Sequence, residues 1–155
     1  MNTIIIEMIM AFMACFFFAI VYNTPKKELI FCGIFGGLGY GIYYILINHY
    51  GFGTSANFFG ALLIAFLARI TSMRRHIPVM VYVLPSVFPL SPGGNMYNAA
   101  YAVIISDMYN AVDQTMICIK IVGVCVIAIL LVLSLPEFIF KPFDKKQEAQ
   151  NKTAV

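Results

Sequence analysis

Residues Leu84 to Tyr101 read LPSVFPLSPGGNMYNAAY. Pro85, Pro89 and Pro92 lead into Gly93-Gly94, and a helical pattern of small residues follows. In a water-soluble chain this would be a surface loop. Here apolar stretches flank it on both sides, so it falls where a membrane span belongs. Hydrocarbon tolerates interrupted backbone only where the break is buried in protein or lines a polar cavity. A helix interrupted at membrane depth is a common way to build a substrate site there. The reading of this segment therefore decides the fold and where function is sought.

The chain has 155 residues, 61% hydrophobic and 11% charged, which places it among integral membrane proteins. Little remains for a soluble domain. The net charge of +3 does not indicate nucleic acid, because the basic residues sit at span ends and in the tail. Cys15, Cys32, Cys118 and Cys125 all lie in apolar runs and form no C-x-x-C pair. They read as small packing residues rather than metal ligands. The N-terminus carries Glu7 in place of a cationic leader, so residues 3–22 read as a retained span.

The expected fold is all-α, a polytopic helix bundle of about five spans, one of them broken by proline and glycine. The first span covers Thr3 to Tyr22 and stops at Asn23-Thr24-Pro25-Lys26-Lys27. The second runs from Leu29 to Asn48, and the third from Ser55 to Ile70 with Arg74, Arg75 and His76 beyond it. The broken region is Ile77 to Val112, read as two half-helices joined near Pro92-Gly93. The last span covers Thr115 to Leu135. Residues 1–136 form the transmembrane bundle and 137–155 a polar tail.

Orientation follows from the basic residues. Lys26, Lys27, Arg69, Arg74, Arg75, Lys141, Lys145, Lys146 and Lys152 lie at one set of ends, and only Lys120 of the 10 lysines and arginines does not. The positive-inside rule then puts the N-terminus outside and the tail in the cytoplasm of a multi-pass protein of the cell membrane.

Gly33, Gly37 and Gly41 repeat at four-residue spacing in the second span, and Gly36 and Gly39 widen that face. Small residues so spaced let helix backbones approach closely in lipid. Packing within one subunit is the plain reading; helices rocking along the face is the functional one.

No nucleophile–base pair, metal-ligand cluster or Gly-rich phosphate cradle stands out, so no enzyme activity and no cofactor are expected. The break offers different chemistry. Its glycines leave backbone N–H groups uncovered, and a helix starting there presents orphan donors and partial positive charge to a carboxylate. Pro92, Gly93, Gly94, Asn95, Tyr97 and Asn98 are the candidate substrate-binding residues, with Gly33, Gly37, Gly41, Pro85 and Pro89 as packing or conformational positions. The competing reading is a tight turn with an asparagine cap. Ser86 and Ser91 read as partners for the carbonyls that the prolines free. Lys120 either snorkels to the interface or holds an anion, alone or paired with Asp107 or Asp113.

The sequence resembles the small integral-membrane branch of the threonine/serine exporter family. The resemblance rests on Asn23-Thr24-Pro25-Lys26-Lys27-Glu28-Leu29, the glycine-rich second span, Ala68-Arg69, and Leu84-Pro85-x-x-x-Pro89-Leu90-x-Pro92-Gly93, within residues 5–135. It implies a secondary exporter of small hydroxy amino acids, or of dicarboxylates such as succinate. It also implies that this chain corresponds to a C-terminal half and works with a larger membrane subunit carrying the other half, with a homo-oligomer as a further option. A non-transporting membrane scaffold is the alternative from another class.

Overall fold

The computed structural model describes residues 2–136, so the tail expected over 137–155 lies outside the described residues. Six α-helices follow one another: α1 Asn2–Val21, α2 Leu29–Tyr50, α3 Ser55–Arg75, α4 Met80–Val87, α5 Gly93–Ile104 and α6 Met108–Ser134. A short 3₁₀ turn, Phe88–Leu90, continues α4. Among the described residues the fold is all-helical, as expected. Four helices, α1, α2, α3 and α6, are long and apolar enough to cross a membrane, and Met80–Leu90 is a shorter apolar one.

The helix ends explain two boundaries that hydropathy misplaces. Helix α3 continues past Ile70 to Arg75 and stops where His76 takes a left-handed conformation at φ 54°. Nothing before Pro78 forbids helix, so the polar last turn simply extends beyond the apolar run. Helix α6 starts at Met108, not Thr115. Asp107 caps it, accepting from the Asn110 backbone N–H at 3.2 Å and the Asn110 side chain at 2.6 Å. An aspartate at this position satisfies an orphan donor of the first turn. At 27 residues α6 is roughly 40 Å long, more than a hydrocarbon core requires.

Helices α1, α2, α3, α6 and α5 pack in that order, each on the next, and α4 lies against α1, α2 and α3. The glycine face makes this possible. A Cβ on Gly33 would strike the Phe12 ring, one on Gly41 would lie 2.9 Å from the Met8 sulfur, and one on Gly37 would lie 3.2 Å from the Met8 carbonyl oxygen. The partner of this face is α1. On the other side α2 crosses α3 where Gly39 meets Gly60, whose own Cβ would sit 3.0 Å from the Gly39 carbonyl oxygen.

One core cluster, Ala19, Cys32, Phe35, Ala68, Tyr82 and Val83, joins α1 to α4. A second, Ala61, Ile64, Leu90, Cys125 and Ala128, joins α3, the 3₁₀ turn and α6. Arg69 of α3 fastens the end of α6. Its two terminal nitrogens donate to the Leu133 and Leu135 carbonyls, each at 2.8 Å. Terminal helix carbonyls have no intrahelical partner and need one. Arg69→Lys keeps the charge but loses the planar fork. It is expected to lower stability by about 1–2 kcal/mol, read as an earlier thermal aggregation midpoint of the detergent-solubilised protein.

Candidate functional site

Around the break, sequence chemistry and geometry meet most closely. Pro85 lies inside α4 and is fully buried. Proline cannot donate to the carbonyl four residues earlier, here that of Val81. The Cys32 thiol takes this role, donating to the Val81 oxygen at 3.7 Å. Cys15 also donates to the Ser86 carbonyl at 3.7 Å, and Cys118 to the Pro92 carbonyl at 3.9 Å. The cysteines are therefore more than packing residues. Three of them are weak donors to backbone oxygens of the broken segment. The carbonyl that Pro85 frees is thus served by Cys32 and not by a serine, and the Ser86 hydroxyl donates instead to the Cys32 carbonyl at 2.9 Å. Pro89 sits in the 3₁₀ turn, and Ser91 is extended at ψ 143°, so the chain leaves helix there.

Pro92 is buried at the start of α5, while Gly93 and Gly94 are exposed. The Gly93 N–H turns back to the Ser91 oxygen at 2.8 Å, and the Met96 N–H bonds the Pro92 oxygen at 2.9 Å. Between them, Gly94 and Asn95 supply N–H groups that begin a helix and have no preceding turn to bond. A Cβ at Gly93 or Gly94 would meet nothing within 4 Å, so the chain beside these donors is not packed against a neighbour. Asn95 is not the cap. Its side-chain nitrogen donates to the Gln114 oxygen at 2.9 Å and ties α5 to α6. Tyr97 and Tyr101 stack with centroids 6.5 Å apart on the exposed face of α5, and Asn98 is exposed as well. A groove of about 580 Å³ runs between α5 and α6 past Met96, Ala99, Thr115 and Gly123. The arrangement can present backbone donors to an anion beside an apolar wall.

A second polar cluster was not singled out from sequence. Glu28, at the start of α2, is only 3% exposed. One carboxylate oxygen pairs with Arg75 Nη1 at 2.8 Å, and the other accepts from the Tyr82 hydroxyl at 2.9 Å. The Arg75 guanidinium also lies 4.7 Å from the centre of the Phe31 ring. The cluster thus binds the ends of α2 and α3 to α4.

A family model described as Threonine/Serine exporter, ThrE, matches residues 7–135, from α1 to the end of α6. The chain belongs to the threonine/serine exporter family. It is a multi-pass membrane protein of a transporter family, not of an enzyme family. No solved structure matches the chain.

The matched exporter domain includes both the break and the Glu28 cluster. Lys120, also inside it, lies apart from them. It is exposed, two residues on from the buried Cys118 and so about 200° around α6 from the contact with Pro92. Neither Asp107 nor Asp113 forms an ion pair with it among the described residues, and Asp107 is occupied at the cap of α6. Glu7 of α1 lies beside Tyr40 of α2.

Proposed function

We propose that this chain is one subunit of a secondary exporter of small carboxylates or amino acids, serine, threonine or a succinate-like dicarboxylate. The observation that carries the reading is the exporter family match over residues 7–135. The break supports it physically. Open backbone donors at the start of α5 can receive a substrate carboxylate, with Asn98 and Tyr97 beside them and Asn95 holding α5 in place through Gln114.

A larger membrane partner carries the rest of the transporter. Among the described residues helix α5 packs on α6 alone, and its far face turns Tyr97, Asn98, Tyr101 and Ile104 outward. An asparagine and two tyrosines at membrane depth call for protein or water rather than lipid. The N-terminus is outside and the basic ends are cytoplasmic, as the distribution of Lys26, Lys27, Arg69, Arg74 and Arg75 supports.

The test is release of labelled serine, threonine and succinate from cells carrying the chain with and without the product of its neighbouring gene. Export of at least one solute is expected to rise when both are present. If no solute moves faster with either arrangement, the exporter reading fails and a scaffold role takes its place.

A further inference from the structure

The Glu28–Arg75 pair is built in a way that invites exchange. A guanidinium binds a carboxylate best through two parallel hydrogen bonds. Glu28 gives Arg75 only one oxygen, because Tyr82 holds the other. The Arg75 side chain is 40% exposed while that of Glu28 is 4% exposed, so the cation fronts the solvent with the anion behind it. Lys26, Lys27, Arg74 and His76 surround the same end and raise the local concentration of anions. A small carboxylate arriving from that side can take the guanidinium fork that Glu28 leaves unfilled.

We propose that Arg75 and Glu28 form a two-point receptor for an α-amino acid at the basic end of the bundle. The substrate carboxylate pairs with Arg75 and its ammonium with Glu28, so the internal ion pair opens as both charges find partners. Tyr82 keeps the Glu28 carboxylate in place. A dicarboxylate would bring a second anion against Glu28 and is disfavoured. The opening loosens the joint between α2, α3 and α4. Directly beneath it lies Cys32, fully buried, its backbone N–H bonded to the Glu28 carbonyl at 3.2 Å. The inference rests on the exporter reading for the kind of ligand. Its test does not measure export, so either can fail without the other.

The experiment follows alkylation of the native cysteines by a membrane-impermeant maleimide in inside-out vesicles. In the wild type, serine is expected to speed labelling of Cys32, while lactate, ethanolamine and succinate do not. Glu28→Gln is expected to label Cys32 about tenfold faster without serine, the factor set by losing one charged hydrogen bond, and to gain nothing more from serine. Arg75→Lys, which keeps the charge, is expected to blunt the serine response. Equal labelling of Cys32 in wild type and Glu28→Gln would overturn the proposal. So would equal acceleration at Cys118 and Cys125, the mark of general loosening, or a succinate effect as large as that of serine. If Glu28→Gln does not accumulate, an undiminished serine response in Arg75→Lys overturns it alone.

Discussion

Gly36→Leu is expected to leave almost no folded protein in the membrane. A Cβ at this position would fall on the Cys15 sulfur, 3.0 Å from the Cys15 Cβ and 3.2 Å from the Ser86 carbonyl oxygen. Cys15 belongs to α1 and Ser86 to α4, and both are fully buried. Three helices thus converge on one hydrogen atom. A leucine would drive α1 and α4 off α2 and break the bond by which Cys15 serves the Ser86 carbonyl. Overpacking alone costs about 1–3 kcal/mol. With a backbone oxygen and a buried hydrogen bond also lost, roughly 4 kcal/mol or more is expected. The measurement is the yield of monodisperse protein after detergent extraction. Gly53→Leu is the control, because a Cβ there meets nothing within 4 Å. Normal yield of Gly36→Leu would mean that α1 and α4 do not close on α2 as described.

Much of this architecture was legible because its signals are local. Pro89, Pro92 and the Gly93-Gly94 pair announce the end of one helix and the start of another within a few residues. The spacing of Gly33, Gly37 and Gly41 announces a close-packed face. Sequence does not say what a face meets, and only the structure assigns this one to α1. The start of α6 was hidden for a different reason. Hydropathy rises only near Thr115, whereas the helix begins at an aspartate cap and carries Asn110, Asp113 and Gln114 in its first two turns. The apolar run marks where a helix meets lipid, not where its hydrogen bonds begin.

The least legible features are those that depend on distant residues. Glu28 follows Lys26 and Lys27 and reads as one more charge in a connection. Its burial depends on Arg75 and Tyr82, 47 and 54 residues further along. The cysteines read as small apolar residues because their acceptors are backbone oxygens, which leave no trace in residue type. Cys15 finds its acceptor 71 residues away. Once Pro85 removes a donor, the need for a replacement is predictable, but the helix that supplies it is not.

Gly93→Val is expected to insert and fold at the wild-type level and to lose export. The first half follows from the open space at this position, where a Cβ has no neighbour within 4 Å. No positive φ is recorded there, so a side chain is tolerated by the backbone. The second half follows from the same space being where a carboxylate would approach the N–H groups of Gly94 and Asn95. Two methyl groups would occupy that volume and screen the donors from the substrate. Losing hydrogen bonds to a charged group costs roughly 1.5–3 kcal/mol each, so export should fall about tenfold or more. Asn98→Ala removes one side-chain contact from the same face and should cost only about 1 kcal/mol. The measurement is the rate of labelled-substrate release at matched protein levels. Wild-type export by a normally inserted Gly93→Val would make the break a structural turn. The carboxylate would then be recognised elsewhere, with Arg75 and the partner subunit the next places to look.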